Sequence, residues 1–198
     1  MRALEDRLKR RLRKELLARR RALAATEIAS KSAIIAERVL QAWEYQQARC
    51  VLLYCDFDME VATGELIAAT LRDSKRVILP RVKGHGLPLD LFFVDTVAEQ
   101  VAPGAWTIPE PVPELCRQAR LEDVECVIAP GIGFDIHGGR LGYGGGFYDR
   151  LLNSLTPDQA RVAVGLCYEL QIVREVPRGF FDASVSIICT EANLIDNR

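Results

Sequence analysis

Residues 126–150 have the sequence CVIAPGIGFDIHGGRLGYGGGFYDR. The apolar run Cys126–Ala129 predicts a buried strand, and a helical pattern follows the last glycine of the stretch. Six of the thirteen residues from 138 to 150 are glycine. A glycine loop that leads into a helix presents free N–H groups, which suit an anion such as phosphate. The stretch therefore predicts an α/β fold with an anion site at this loop.

Charged side chains flank the glycines. Arg140 and Arg150 are suitable phosphate ligands, and Asp149 is a suitable magnesium ligand. The alternative for Asp149 is complementation of the helix dipole. The standard phosphate motifs do not fit, because the sequence has no GxxxxGKS/T and the GxGxxG register fails at Ile136 and Phe147. The loop is therefore predicted as a phosphate site from its composition and its position after a strand.

Composition and charge indicate how many domains the chain has and which kinds of partner are expected. The chain has 198 residues, of which 49% are hydrophobic and 27% charged, and its formal net charge is −1. These values predict one domain over residues 1–198 and give no sign of a nucleic-acid partner. No apolar run approaches the roughly 18 residues of a membrane helix, and the basic N-terminus lacks the apolar core of a secretory signal. We therefore expect a cytoplasmic protein with no membrane partner.

The cysteines are scattered and have no metal-ligand spacing. Four of the six lie in or beside apolar runs, which predicts buried small hydrophobic residues rather than a metal or disulfide role. They are Cys50, Cys55, Cys116, Cys126, Cys167 and Cys189.

The N-terminal segment, about residues 2–24, is predicted to form an amphipathic helix packed on the domain. Leucines repeat at i+4 at positions 4, 8, 12 and 16, and cations occupy the other faces. These cations form either a solvated face or contacts to a nucleotide phosphate. A second helix is predicted from Thr26 to about Gln46, with Thr26 as its cap.

Apolar strands then alternate with helical patterns, which predicts a largely parallel, two-sided sheet flanked by helices. The predicted strands are Val51–Tyr54, Arg76–Leu79, Leu89–Val94, Cys126–Ala129 and Arg161–Cys167, with a helix at about Thr63–Arg72 and another after the glycine loop. The alternative for Leu89–Val94 is a β-hairpin, because a Gly-His-Gly turn signal precedes it. Residues 102–120 are rich in proline and are predicted to form an ordered loop over the sheet, and Thr156 begins a capping box.

Other candidate site residues carry two interpretations each. Glu60 follows the first strand and is either a polar contact for a substrate or helix-terminal charge. Trp106 forms the wall of a pocket for a flat ligand or packs as a structural residue. His137 is a general base or a turn residue, and Asp135 either rigidifies its loop or contacts a ligand.

Two motifs carry a resemblance to a known family. Pro130–Asp135 followed by Gly139–Arg150 resembles PGxxFD and GxRLGYGGGYYDR, the signature of the 5-formyltetrahydrofolate cyclo-ligase family. Weaker matches occur in the family's order and extend the resemblance over nearly the whole chain. They lie at Lys9–Arg13, Glu60–Thr63, Leu79–Arg81 and Trp106–Pro111.

This resemblance implies an α/β fold similar to that of ribose-phosphate isomerases and CoA transferases. It implies an enzyme that uses ATP and Mg²⁺ to convert 5-formyltetrahydrofolate to 5,10-methenyltetrahydrofolate, with ADP and phosphate as the other products. It further implies a phosphorylated formyl group as the intermediate, small-molecule partners only, and a monomer.

The resemblance also implies roles for individual residues. The implied ATP ligands are Lys9, Arg13, Arg140, Leu141, Gly142, Tyr143, Gly144, Gly145, Gly146, Phe147 and Tyr148. The implied substrate ligands are Cys55, Glu60, Trp106, Tyr143 and Phe147. Arg140 and Tyr148 are the implied catalytic residues, and Asp149 and Asp182 the implied metal ligands.

The chain departs from the family pattern at three positions. Phe147 replaces a tyrosine, Phe181 a histidine, and Ser186 an aspartate. Two other functions therefore remain as hypotheses. One is a different reaction on the same fold, such as a sugar-phosphate isomerase or a CoA transferase that uses Glu60. The other is a folate- or nucleotide-binding regulator without catalysis.

Overall fold

The computed structural model describes residues 2–160 and 162–198. In chain order its helices are α1 (Arg2–Arg21), α2 (Ala25–Gln41), α3 (Trp43–Gln47), α4 (Gly64–Arg72), α5 (Val97–Gln100), α6 (Phe147–Asn153) and α7 (Pro157–Ala160). Its strands are β1 (Cys50–Leu52), β2 (Arg76–Val82), β3 (Leu89–Val94), β4 (Val101–Pro103), β5 (Pro109–Pro111), β6 (Gln118–Ala119), β7 (Cys126–Pro130), β8 (Gly133–Asp135), β9 (Arg140–Leu141), β10 (Ala163–Leu166), β11 (Ile172–Val173), β12 (Ile187–Cys189) and β13 (Leu194–Asp196).

The central sheet confirms the predicted α/β architecture. Its described strands lie in the order β13–β12–β10–β7–β1–β2–β3–β6. The five from β12 to β2 are parallel, and antiparallel strands complete both edges. Smaller sheets join β11, β8 and β9, and β4 with β5. The central sheet is therefore parallel in its interior, as predicted, and mixed at its edges.

Apolar side chains cover both faces of this sheet. Along β1, Val51 and the following Leu53 belong to one core cluster, whereas Cys50 and Leu52 belong to the other. The alternation follows from the two-residue period of a strand. Residues of α2 and α4 complete the first cluster, and residues of α6 complete the second. The sheet is thus buried on both faces, as the continuous apolar strands predict.

Several predicted elements need correction. The second helix ends at Gln41, and the chain turns at Ala42 before the short α3. Its cap is Ala24 rather than Thr26, because the Glu27 carboxylate accepts a hydrogen bond from the Ala24 N–H at 2.9 Å. The strand predicted from Arg161 begins at Ala163, and Arg161 itself lies outside the described residues.

The segment after β2 also differs from the simplest prediction. β2 and β3 form an antiparallel hairpin, which is the alternative that the Gly84–Gly86 turn signal indicates. Residues 102–120 are not a plain loop, because β4 and β5 pair with each other and β6 joins the edge of the central sheet. The Thr156 capping box is confirmed, since Thr156 and Gln159 exchange hydrogen bonds at 3.0 and 3.3 Å.

The N-terminal helix packs through the C-terminal part of the predicted leucine stripe, since Leu16 is buried and Leu12 half-buried in one core cluster. Leu4 and Leu8 are exposed, whereas Lys9, Leu16 and Arg20 are buried. These three lie at intervals of seven and four residues, which is the spacing of one helix face. The buried face of α1 therefore carries cations into the protein.

Four of the six cysteines are fully buried, as predicted, and two are half-buried. None of the described helices combines the length and the apolar character that crossing a bilayer requires.

Candidate active site

The glycine loop lies between β9 and α6. Gly144 and Gly146 have φ angles of 104° and 67°, a conformation that strains any residue with a Cβ atom. The two ends of the loop are joined, because Arg140 Nη2 donates to Asp149 Oδ1 at 2.8 Å. The high glycine content of this loop is therefore explained by a backbone that must bend sharply between two joined ends.

This loop is the wall between two cavities. A polar cavity of about 1170 Å³ lies on one side, and a more apolar cavity of about 520 Å³ lies on the other. Both are lined by Leu89, Gly144, Gly145, Gly146 and Asp149. Two ligands in these cavities would meet at the glycine loop.

Cations from α1 line the polar cavity. Lys9 Nζ donates to Glu5 Oε1 at 2.6 Å and also to the carboxylate of Asp182. Burial opposes its charge, but the hydrogen bonds to Asp182 and Glu5 raise the pKa of Lys9. Arg13 Nε donates to the Gly142 carbonyl at 2.7 Å, which places its guanidinium against the glycine loop. The structure thus brings the predicted phosphate ligands Lys9 and Arg13 to one cavity with the loop.

The predicted metal ligands Asp149 and Asp182 line the same cavity. The described residues contain no cluster of three or more His, Cys, Asp or Glu side chains that would hold a metal ion. Mg²⁺ characteristically keeps several waters and binds one or two carboxylates together with substrate phosphates. The two carboxylates therefore fit a magnesium ion that arrives with a nucleotide.

Aromatic side chains line the apolar cavity. The rings of Trp106 and Phe147 meet edge to face at 6.3 Å, and Tyr143 lines the same space. Cys55 also lines it, and burial raises the pKa of its thiol to about 12. Cys55 is therefore a neutral, apolar contact. The predicted substrate ligands lie together in a pocket suited to a flat ring system.

Glu60 is one of three carboxylates that line this pocket, with Glu110 and Asp149. Its side chain is nearly buried, at 7% exposed, and Oε2 accepts a hydrogen bond from the Phe57 N–H at 3.1 Å. Burial raises the pKa of Glu60 to about 7, although the charge of Arg20 opposes the shift. The group therefore changes its charge near neutral pH.

Tyr148 and Arg140 also face the apolar cavity. The Tyr148 hydroxyl is buried and has no hydrogen-bond partner among the described residues. Burial raises the pKa of this hydroxyl, so it stays protonated. A buried, unsatisfied hydroxyl is costly for the fold unless a ligand satisfies it. Tyr143, Phe147 and Tyr148, all predicted as ATP ligands, line the apolar cavity and not the polar one.

Sequence reasoning missed Arg20. This residue is 1% exposed, and its Nη2 donates to the Tyr143 hydroxyl and, at 3.4 Å, to Asp58 Oδ2. Its Nε and Nη1 atoms have no partner in the described part of the chain. The signal was present in the sequence, because Arg20 stands at the next i+4 position after Leu16.

Other candidates prove to be structural. Leu141 is not among the described residues that line either cavity. Its buried side chain packs in the cluster that contains Leu16. Asp135 is buried and accepts hydrogen bonds from the N–H groups of His137, Gly139 and Val176 at 2.8–3.0 Å, so it rigidifies its loop.

His137 and Ser186 are also absent from the described residues that line the two cavities. His137 is an exposed turn residue. The Ser186 hydroxyl donates to the Ala163 carbonyl at 3.0 Å, so this departure from the family pattern serves strand packing.

Comparison with known proteins identifies the family. The sequence profile of the 5-formyltetrahydrofolate cyclo-ligase family matches residues 5–191. The chain belongs to this family. The Haemophilus influenzae 5-formyltetrahydrofolate cyclo-ligase is 32% identical over 151 residues, which cover 75% of this chain and 79% of the relative. The mouse 5-formyltetrahydrofolate cyclo-ligase is 28% identical over 190 residues and covers 92% of this chain and 93% of the relative.

Solved structures agree with this assignment. The NMR structure of the Aquifex aeolicus 5,10-methenyltetrahydrofolate synthetase superposes with a TM-score of 0.84 at 34% identity, and the match covers 96% of this chain and 93% of that one. The Mycoplasma pneumoniae 5,10-methenyltetrahydrofolate synthetase shares the fold, with a TM-score of 0.72 at 22% identity over 92% of this chain and 98% of that one. The protein is an enzyme of the cyclo-ligase type.

Proposed function

We propose that this cyclo-ligase converts 5-formyltetrahydrofolate and ATP to 5,10-methenyltetrahydrofolate, ADP and phosphate. One observation carries the proposal: Gly144–Gly146 and Asp149 line both the polar and the apolar cavity. A nucleotide on one side of the loop and a folate on the other would bring the γ-phosphate and the formyl group together there. Membership of the family supports the cyclisation itself.

The reaction must overcome the low reactivity of an N-formyl amide. The formyl oxygen attacks the γ-phosphorus, the bond to the ADP oxygen breaks, and an iminium phosphate forms. The N10 amine then adds to the activated formyl carbon and loses its proton. The bond between the formyl carbon and the phosphate oxygen then breaks, and phosphate leaves with the electron pair. The methenyl bridge remains. The protein contributes mainly positioning and charge stabilisation, as in other phosphoryl transfers.

On the polar side, Lys9 and Arg13 bind the phosphates. Lys9 is held by two carboxylates, and Arg13 is held against the loop by the Gly142 carbonyl. Both cations are therefore pre-positioned, which reduces the entropy that nucleotide binding costs. Bound magnesium, held by Asp149 and Asp182, would supply charge neutralisation at the phosphates.

On the apolar side, Trp106 and Phe147 pack against the flat pterin. The Glu60 carboxylate accepts hydrogen bonds from the N–H donors along the pterin edge. The buried Tyr148 hydroxyl and the Arg140 guanidinium, whose centre lies 5.7 Å from the Tyr148 ring, face the same cavity. We assign them to the stabilisation of charge on the reacting oxygen atoms.

The proposal also covers the domain organisation, oligomeric state, location and partners of the protein. The whole chain acts as one domain and as a monomer in the cytoplasm, on a sheet of the ribose-phosphate isomerase and CoA-transferase type. Its partners are small molecules. The net charge of −1 and the presence of two cavities of small-molecule size support this view over a nucleic-acid or membrane partner.

The direct test is the absorbance of 5,10-methenyltetrahydrofolate when the purified protein meets 5-formyltetrahydrofolate, ATP and Mg²⁺. We expect a rise that disappears when either ATP or Mg²⁺ is omitted. A rise without ATP would contradict the phosphorylated intermediate. Binding of both ligands without any turnover would instead favour the regulator hypothesis, and CoA-transferase activity would favour a different reaction on the same fold.

A further inference from the structure

A tight turn beside the polar cavity carries two adjacent phenylalanines. The Gly179 carbonyl accepts a hydrogen bond from the Asp182 N–H at 3.2 Å, so Phe180 and Phe181 are the two central residues of the turn. Phe180 is 95% exposed and Phe181 is 73% exposed. Their rings meet edge to face at 5.2 Å. The pair is an aromatic surface with almost no packing against the rest of the protein.

This composition is unusual for a turn. Central turn positions favour Gly, Pro, Asn, Asp and Ser, because these residues suit the backbone or hydrogen-bond it. Phenylalanine offers neither advantage, and at this exposure it contributes little to the core. Exposed aromatic side chains that cluster in this way mark ligand-binding or interaction surfaces.

The position of the pair identifies its ligand. Phe180 and Phe181 line the polar cavity, together with Lys9, Arg13 and the glycine loop. The volume of about 1170 Å³ exceeds the roughly 300–1,000 Å³ of typical small-molecule sites, so the cavity has room for more than a chain of phosphates. A nucleoside triphosphate combines a polyanion with a flat aromatic base, and this cavity offers cations and aromatic rings.

We propose that Phe180 and Phe181 form the platform on which the purine base of the nucleotide stacks. This inference rests on the proposed function, which places the phosphates at the glycine loop. The turn is well suited to the task because Asp182, which closes it, also binds Lys9. The base platform and a phosphate ligand are thereby fixed to each other.

The test compares a ligand that has a base with one that lacks it. Calorimetric titration in the presence of Mg²⁺ would measure the affinities of ATP and of inorganic tripolyphosphate for the full chain and for the double variant Phe180→Ser/Phe181→Ser. Stacking of a base on aromatic side chains predicts a loss of ATP affinity between about fivefold and a hundredfold in the variant. Tripolyphosphate affinity should stay within about twofold of the unmodified protein.

Two further variants sharpen the result. Trp43→Ser removes an aromatic side chain of comparable exposure, 63%, that lines neither cavity, and we expect ATP affinity to be unchanged. Phe181→His keeps a planar ring and should lose less ATP affinity than Phe181→Ser.

Four outcomes would overturn the inference. Equal losses for ATP and tripolyphosphate would show that the turn acts only through Asp182 and Lys9. Unchanged ATP affinity, with self-association in sedimentation that the double variant abolishes, would make the pair a contact between two copies of the chain. If the unmodified protein bound neither ligand, the proposed function would fail as well; tripolyphosphate binding as tight as ATP binding would overturn the base platform alone.

Discussion

The guanidinium of Arg140 and the carboxylate of Asp149 form an ion pair, with 2.8 Å between Nη2 and Oδ1, that closes the glycine loop. Eight residues separate the two, and four of them are glycine. Asp149 Oδ1 also accepts a hydrogen bond from the Ala183 N–H at 3.3 Å, which connects the loop to the segment that carries Asp182. The loop is thus fixed at both ends while its central glycines face the two cavities.

The first prediction concerns Asp149. The substitution Asp149→Asn removes one of the two carboxylates assigned to magnesium and the counter-charge of the buried Arg140. We expect turnover to fall by at least about tenfold, because charge stabilisation by a bound metal contributes several kcal/mol to such reactions. The magnesium concentration at half-maximal rate should rise. Asp158→Asn, at an exposed position on α7, is the matched control, and wild-type kinetics in Asp149→Asn would exclude Asp149 as a ligand.

The second prediction separates the two substrates. In Lys9→Ala, the KM for ATP should rise by about tenfold, the effect of one lost charge-assisted hydrogen bond, while the KM for the folate changes little. Steady-state kinetics with each substrate varied in turn would measure both. Lys14→Ala removes an exposed cation from the same helix and should leave both constants unchanged. Equal increases in both KM values would make Lys9 a structural residue.

The third prediction follows from the raised pKa of Glu60. Only the ionised carboxylate accepts the pterin N–H donors with both oxygens, so the KM for 5-formyltetrahydrofolate should fall as the pH rises through about 7. At about one unit below that pKa the KM should be about tenfold above its high-pH plateau. Glu60→Gln should have a higher KM without this pH dependence. A flat profile for the unmodified protein would contradict the assignment.

The fourth prediction concerns stability. The folded-state pKa of Glu60, about 7, lies above the ordinary glutamate pKa of 4.5, so between these pH values the folded protein holds a proton that the unfolded chain has lost. The contribution of Glu60 to stability is therefore present below pH ~4.5 and lost as the pH rises to about 7, with a total of about 3 kcal/mol. Glu60→Gln cannot ionise, so its free energy of unfolding should exceed that of the unmodified protein at about pH 8 by up to this amount. Denaturant unfolding at several pH values would measure it, and a difference independent of pH would contradict the burial of the charge.

The fifth prediction tests the role of Arg20. We hypothesise that Arg20 positions Tyr143 and lowers the pKa of Glu60, because its guanidinium contacts the Tyr143 hydroxyl and its charge acts on Glu60. Arg20→Met should raise the folate KM and shift the midpoint of its pH profile upward, because the nearby positive charge is gone. Arg19→Met, at an exposed position, is the control.

A double-mutant cycle with Tyr143→Phe completes this test. If Arg20 acts through the tyrosine hydroxyl, Arg20→Met should have a smaller effect on the folate KM in the Tyr143→Phe background. An unchanged midpoint together with additive effects would show that Arg20 only fills space in the core.

The sequence predicted the fold class, and it proposed a location for the site, because both inferences depend on local patterns. Continuous apolar strands indicate a two-sided parallel sheet, and the glycine loop indicates a close approach of the backbone to a ligand. Lys9 and Arg13 became candidate phosphate ligands through the resemblance to a family, since a helical charge pattern alone cannot distinguish a solvated face from a ligand-binding one.

Other features depend on tertiary contacts and were not predictable in this way. The burial of Arg20 instead of Leu4 depends on how α1 packs against the rest of the protein. The division of the site into two cavities places Tyr143 and Tyr148 on the apolar side, although the glycine motif that contains them suggested the phosphates. The pKa of Glu60 likewise depends on its burial and on the nearby charge of Arg20, and neither can be read from the residues adjacent to it in the sequence.

The ion pair between Lys9 and Asp182 joins residues that lie 173 positions apart. Consequently the polar cavity has no complete wall until the chain has been synthesised almost to its last strand. Only the contact with Glu5 is local to α1, so 173 residues must follow Lys9 before its second carboxylate partner exists. The two ends of the chain therefore close the polar cavity only together, and a chain truncated before Asp182 would leave Lys9 paired with Glu5 alone.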